Sequence, residues 1–399
     1  MVQEKLVSSE KTKNDNNVYH DEPQLQFDDN SLWEEYQFEE LFEIKNGLNK
    51  GKDYFGYGIP ILNYMDVNKN IYNTKESIKG LVDVDKNEIK RYNVKPNDLF
   101  FTRTSETSDE IGLTSAYTGE LMDCVFSGFI LRARPIKEDI NSLFFAYYLR
   151  SDKSRSNIIK YSSITTRALI SGSNLYKMKV RMPKIDEQNK IAGFLSAIDK
   201  KIELLEKKLV LYRELELTIK KNIFNNFKNC SFVKLNQICS IKKGKQLNKS
   251  DMVENGGYYV LNGGKEPSGH TNSWNVKENT ITISEGGNSC GFVSFNHEKF
   301  YCGGHCYYLT LKEDNLDLNC LFHYLKFIEP KIMSLRVGSG LPNIQKGDIE
   351  NIRILEIDYE KQKELGIFFE SIDKKISFIC KEKEGLKNFK RGLLQKMFI

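Results

Sequence analysis

Ile198-Asp199-Lys200-Lys201-Ile202 returns unchanged as Ile372-Asp373-Lys374-Lys375-Ile376, 174 positions later. The same offset sets Gln188 on Gln362, Ile191 on Leu365, Phe194 on Phe368 and Leu205 on Ile379. It continues with Leu215 on Phe389, Ile219 on Leu393, Ile223 on Met397 and Phe224 on Phe398. Five successive identities inside a shared apolar stripe mark a duplication, with a period far too long for a solenoid. A second echo, Ile44-Lys45-Asn46-Gly47 against Ile241-Lys242-Lys243-Gly244, lies 197 positions apart. The chain therefore reads as a globular segment, a helix, a second globular segment and a second helix.

The helical segments, 184–228 and 358–399, are the plainest. Ile191, Phe194, Leu195, Ile198, Ile202, Leu205, Leu209, Tyr212, Leu215, Ile219 and Ile223 follow three-and-four spacing. Lys200, Lys201, Glu203, Lys207 and Lys208 fall on the other face, as an amphipathic helix requires. Over 198–212 the spacing is strictly four-three, a coiled-coil seam that needs a partner. The second copy covers about 360–398, with Gly385 and Gly392 weakening its last third. At 1.5 Å per residue each helix spans roughly 60 Å. Antiparallel pairing of the two copies about a pseudo-two-fold axis covers both seams most economically.

The globular segments, 31–183 and 229–357, are rich in Tyr, Phe, Gly and Asn. Their β-like runs are 59–64, 98–103, 125–132, 258–261, 280–284, 291–295 and 306–311, with helices expected at 141–150 and 319–328. The expected fold class is α+β: two α/β units with twisted sheets, separated by two long helices forming an antiparallel coiled coil. Residues 1–30 are polar, acidic and Asn-rich and read as a flexible tail.

At 399 residues, 40% hydrophobic and 28% charged, the chain is long enough for two or three cores. No apolar run reaches the roughly 18 residues of a membrane span, and the first residues lack a secretory pattern. Eight scattered cysteines then read as reduced thiols of a cytoplasmic protein. The net charge of +5 permits nucleic-acid binding without demanding it.

Each familiar catalytic signature fails on inspection. Gly56-Tyr57-Gly58-Ile59-Pro60 starts like a dinucleotide fingerprint but lacks the third glycine and sets Pro60 where a helix should begin. Gly47-Leu48-Asn49-Lys50-Gly51-Lys52-Asp53 is one residue short of a phosphate loop and ends in Asp. No Pro-Pro is present for an adenine methyltransferase tetrapeptide. Cys302-Gly303-Gly304-His305-Cys306 has no second ligand pair, and its alternation suits a strand better than zinc. The five histidines suggest no acid–base constellation. The expectation is therefore no catalytic residue, no metal site and no cofactor bound by this chain.

Recognition chemistry remains. Phe100-Phe101-Thr102-Arg103-Thr104-Ser105-Glu106-Thr107-Ser108 leaves a strand into a hydroxyl-rich loop, and Ser162-Ser163-Ile164-Thr165-Thr166-Arg167 repeats that composition. Ser284-Glu285-Gly286-Gly287-Asn288-Ser289 and the stretch 337–345 occupy similar places in the second segment. Such residues hydrogen-bond phosphates and base edges. The candidates in the first segment are Lys50, Lys52, Arg103, Thr104, Ser105, Thr166 and Arg167. Those in the second are Lys245, Lys249, Asn288, Ser289, Ser339, Asn343 and Gln345.

Four stretches, in this order and with the repeat, resemble the specificity subunit of a type I restriction–modification system. They are Pro23-Gln24-Leu25-Gln26-Phe27 with Trp33-Glu34-Glu35-Tyr36; the run 38–47; Met182-Pro183-Lys184-Ile185-Asp186-Glu187-Gln188-Asn189-Lys190-Ile191; and Tyr359-Glu360-Lys361-Gln362-Lys363-Glu364-Leu365. The second copy departs from the first, with Ile357-Asp358 in place of Pro183-Lys184 and Lys361-Gln362 in place of Glu187-Gln188. The resemblance implies two target-recognition domains, each reading half of a bipartite duplex DNA target, with paired helices fixing their separation. It implies a non-catalytic subunit that recruits two methylation subunits using S-adenosylmethionine and, in the full restriction complex, two restriction subunits using ATP and Mg²⁺. Two rival readings remain: a coiled-coil scaffold whose globular units bind proteins, and a stand-alone enzyme with a divergent nuclease or methyltransferase centre.

Overall fold

The second echo marks the first strand of each of two sheets. The computed structural model describes residues 7–8, 23–27, 32–164, 167–227, 231–338, 340 and 342–398. The first sheet contains β1 (Phe42–Asn46), β2 (Leu99–Thr102), β3 (Thr114–Tyr117) and β4 (Ile130–Pro135). Their order is β1-β4-β2-β3 with every neighbour antiparallel, and Tyr72–Asn73 adds a parallel edge beside β3. The second sheet contains β5 (Cys239–Lys243), β6 (Thr280–Ser284), β7 (Val293–Asn296) and β8 (Cys306–Leu311), in the order β5-β8-β6-β7 and again antiparallel. One topology built twice is what a duplication predicts.

The smaller sheets repeat as well. Val125–Phe126 runs parallel to Phe55–Leu62, which pairs antiparallel with Leu81–Val82. The counterparts are Tyr301–Cys302, Tyr258–Leu261 and Gly269–Thr271. Two expected strands differ in detail. The run 125–132 is broken because Val125–Phe126 leaves for the small sheet and β4 begins only at Ile130. The strand expected at 59–64 starts earlier, at Phe55, with a register shift before Ile59 where Gly56 and Gly58 take positive φ.

Four of the helices recur as pairs, α1 (Ser142–Tyr148) with α3 (Leu318–Phe327) and α2 (Ile185–Asn226) with α4 (Tyr359–Met397). Asn141 caps α1 by accepting from the Leu143 and Phe144 amides, and Asp317 caps α3 by accepting from Cys320. The repeated glutamines lock these caps to the long helices. Gln188 accepts from the Asn141 amide at 2.9 Å and donates to Pro183 O at 2.8 Å. Gln362 accepts from the Asp317 amide at 3.0 Å and donates to Ile357 O at 2.7 Å.

The chain divides into two compact units, Met1–Glu203 with Glu384–Ile399, and Leu204–Lys383. In the first, Phe38, Phe42, Phe101, Phe144 and Phe145 pack under the sheet and meet Ile191, Leu195, Leu393 and Met397 from the helices. Burying each such phenylalanine contributes about 1.5–3 kcal/mol. Asp199 of α2 meets Lys390 of α4 there, while the earlier α2 residue Ile191 shares a cluster with the later Met397 and Phe398. In the second unit Glu206 meets Lys383 and Phe224 stacks on Phe369. In each unit, then, the helix segments run antiparallel.

One expectation about the helices changes. Leu215 is 53% exposed, because half-integral spacing carried on from Tyr212 lands on Glu216, which takes the inward position. Asp199 accepts from Tyr147 Oη and Lys390 Nζ inside the first unit, so its repetition as Asp373 has an internal cause. Of the flexible tail expected over 1–30, residues 7–8 and 23–27 are held, with Val7–Ser8 pairing antiparallel with Leu25–Gln26. The Gln24 amide donates to Lys396 O at 2.8 Å, the Phe27 amide to Glu187 Oε1 at 2.6 Å, and the Phe27 ring packs on Phe194.

Candidate nucleic-acid interface

Antiparallel alternation puts the end of β1, the end of β2 and the starts of β3 and β4 at one end of the first sheet. Short backbone bonds draw their loops together. Leu48 donates to Phe126 O and Gly128 to Leu48 O, both at 2.8 Å, and Arg103 donates to Phe129 O at 3.0 Å. Thr104–Ser105 pairs with Ala168–Leu169, which pairs in turn with Ser163–Ile164. The two hydroxyl-rich loops, about 60 positions apart in the chain, form one small ribbon. In the second unit Gly244 donates to Cys306 O, Glu285 to His305 O and Ile344 to Glu285 O, each at 2.9 Å. Gly286 and Val337 both bridge to Asn343. The glycine that ends each echo allows this closure: a Cβ on Gly47 would sit 2.1 Å from Ser127 O, and one on Gly244 2.2 Å from Gly303 O.

The side chains divide into those that face solvent and those that build the loops. Arg103 is half-buried and its Nη1 donates to Gly128 O at 3.3 Å, which aims the guanidinium along the loop edge. Arg167 is exposed, 3.9 Å from Glu106. Thr104 is half-buried, whereas Ser105 is buried and its Oγ accepts from the Thr107 amide, shaping the turn. Lys52 is exposed. Lys50 is committed inside the fold, 2.7 Å from Glu88 and 2.8 Å from Asp83 O, and the Glu88 hydrogen bond raises its pKa. Thr166 and Ser339 lie outside the described residues. In the second unit Lys245, Lys249, Asn288, Asn343 and Gln345 are exposed, while Ser289 is half-buried and its carbonyl accepts from the Phe292 amide.

Two further positions emerge from the superposable topology. Glu285 stands where Arg103 stands, directly after the central strand and bonded through its carbonyl to the returning loop. Its carboxylate is buried, accepting from Tyr307 Oη at 2.7 Å and from Lys243 Nζ at 2.6 Å. Burial and that carboxylate together push the Tyr307 phenol pKa up. Phe129, 64% exposed, and the exposed His305 occupy equivalent turns beside them. Choosing residues by positive charge passes over Glu285, although a carboxylate accepts from the exocyclic amine of cytosine. Cys302 and Cys306 point into a buried cluster with Leu261, Val276 and Phe300, away from the exposed His305, so the three do not gather into a ligand set.

The family model for the type I restriction modification DNA specificity domain matches residues 30–211 and 228–388. The chain belongs to that family and carries two DNA specificity domains; specificity subunits of type I systems are non-catalytic. It is 25% identical over 402 aligned positions to the putative type I restriction enzyme MjaX specificity subunit of Methanocaldococcus jannaschii, covering 91% of this chain and 92% of that one. Over 121 residues, 30% of this chain and 32% of the relative, it is 36% identical to the putative type I specificity subunit S.MpnORF638P of Mycoplasma pneumoniae. The crystal structure of a type I restriction-modification S subunit from M. genitalium superposes with TM-score 0.67 at 18% identity, covering 95% of this chain and 99% of that one, which shows a shared fold. Among the described residues no helix is long and apolar enough to cross a membrane.

Proposed function

We propose that each unit reads one half of a bipartite duplex DNA target through the loops gathered at one end of its sheet. The observation that carries this reading is the twofold construction: two sheets of one topology, each closing the same four loops together. Two recognition domains, 31–183 and 229–357, joined through helices 184–228 and 358–399, suit a split target. In the first domain Lys52, Arg103, Thr104 and Arg167 supply the contacts, with Lys50 and Ser105 shaping the loop. In the second Lys245, Lys249, Asn288, Asn343 and Gln345 do so. The modest net charge fits a subunit whose partners share the phosphate contacts.

The helices set the spacing between half-sites and dock two methylation subunits, which bring S-adenosylmethionine; two restriction subunits bring ATP and Mg²⁺ to the complete complex in the cytoplasm. Asp199 and Asp373 are occupied internally, so docking rests on the exposed pairs Lys200–Lys201 and Lys374–Lys375 and on exposed Leu211, Leu215, Phe378 and Phe389. Hydroxyl-radical footprinting of the chain with its methylation subunit on its target duplex tests the reading. Two protected patches with an accessible gap are expected, and a single continuous patch contradicts it.

A further inference from the structure

Glu216, His323 and Asp373 meet inside the second unit, from α2, α3 and α4, with one donor atom of each within 4.8 Å of the others. The first unit holds a counterpart of every position. Asp199 answers Asp373 and Lys390 answers Glu216, both at the offset of 174. Tyr147 answers His323, each standing six residues after the cap of its helix. In the first unit these residues satisfy one another. Lys390 Nζ lies 2.5 and 2.7 Å from the Asp199 oxygens, and Tyr147 Oη donates to Asp199 Oδ2 at 2.7 Å.

In the second unit the lysine has become a carboxylate. His323 Nε2 lies 3.3 Å from Asp373 Oδ2, and Nδ1 lies 4.0 Å from Glu216 Oε1. The imidazole is 1% exposed and stacks on Phe369. Among the described residues its Nδ1 has no hydrogen-bond partner. A neutral imidazole has one N–H and one lone pair. With the N–H directed at Asp373, the lone pair faces a carboxylate oxygen, two acceptors opposed in a buried place. Lys220 Nζ bonds the same Glu216 Oε1 from the next turn of α2, which balances one charge and still leaves that oxygen a second lone pair. A zinc-class ion lies about 2.0–2.2 Å from imidazole nitrogen and carboxylate oxygen, so a 4.0 Å span is bridged, and closing to roughly 3.4 Å gives a tetrahedral angle. A carboxylate holding the far N–H of a ligating histidine is the usual outer support.

We propose that His323 Nδ1 and Glu216 hold a divalent transition cation of the zinc class, with Asp373 orienting the imidazole and solvent completing the shell. The ion ties α2, α3 and α4 together in the second unit, where the first unit uses its own Lys390.

The test is calorimetric titration of tag-free, chelator-treated full-length protein with ZnCl₂, paralleled by cobalt(II) absorption. Saturable uptake of one ion per chain is expected. Uptake at that site should fall at least tenfold in His323→Asn and in the triple variant Glu216→Lys, Lys220→Leu, His323→Tyr. The triple variant installs the residues that the first unit carries as Lys390, Leu394 and Tyr147, a combination already accommodated in that unit. Zinc should also slow amide exchange in peptides from α3 and the first half of α4. Absence of saturable uptake overturns the proposal, as does equal uptake in both folded variants. Slowed exchange on acidification with no response to zinc also overturns it, since a proton would then be the occupant.

Discussion

Replacing Gln188 by Leu probes the joint between cap and long helix, and its cost can be worked from the structure. The side chain is fully buried and bonds three backbone groups: the Asn141 amide at 2.9 Å, Pro183 O at 2.8 Å and Asp139 O at 3.1 Å. Leaving a buried group unpaired costs about 1–3 kcal/mol, and the leucine returns roughly 1 kcal/mol of transfer energy. The expected net loss is about 3–5 kcal/mol. Gln362→Leu frees only two groups at a half-buried site, for about 2–3 kcal/mol. The chain's two tryptophans, Trp33 and Trp274, report the first and second units separately. Urea unfolding in a Trp274→Phe background follows the first, and a Trp33→Phe background follows the second. With m of about 2–3 kcal/mol per molar, Gln188→Leu should lower the Trp33 midpoint by roughly 1–2 M. An unmoved Trp33 midpoint, or a larger loss from Gln362→Leu, would refute the reasoning.

Arg103→Ala should cost about 1–3 kcal/mol of DNA affinity and relax one position of one half-site, while Lys52→Ala should weaken all sequences alike and flatten the salt slope by about one; binding titrations at several salt concentrations separate the two. Burial pushes the Cys124, Cys239 and Cys320 thiols up to about 12, so a thiol probe at pH 8 should label half-exposed Cys380 well before them. The unfolded chain loses those protons near pH 9, so stability should fall as pH rises from about 9 towards 12, read from urea midpoints. Four residues added after Leu209, matched by four between Asp373 and Lys383, keep the Glu206–Lys383 pairing and lengthen each helix by about 6 Å. The gap in the methylated motif should then grow by one or two base pairs, and an unchanged gap in an active variant would separate the helices from spacing.

Periodicity and repetition expose whatever depends on one segment alone. The long helices, the strands at 258–261, 280–284 and 306–311 and the glycines of the second echo are visible because each is dictated by its own side-chain pattern. Features that depend on distant partners are hidden. The break in 125–132 follows from Val125–Phe126 leaving to pair with Ile61–Leu62, and the buried group that Glu216 faces, His323, comes from α3. The matching composition of the loops marks them as recognition candidates, yet their pairing through 168–169 comes only from the fold. Glu285 shows the limit most clearly: its equivalence to Arg103 is a fact of topology, and the two loops share almost no residues.

The central claim is that the two units read independently, and exchange of one recognition domain tests it most directly. Residues 31–183 are replaced by the matching segment of a relative with a different target, and the methylated motif of cells carrying the chimera and its methylation subunit is mapped by methylome sequencing. One half of the motif should change to that of the donor while the other half stays as before. A motif altered in both halves, with the chimera folded and active, would contradict modular reading.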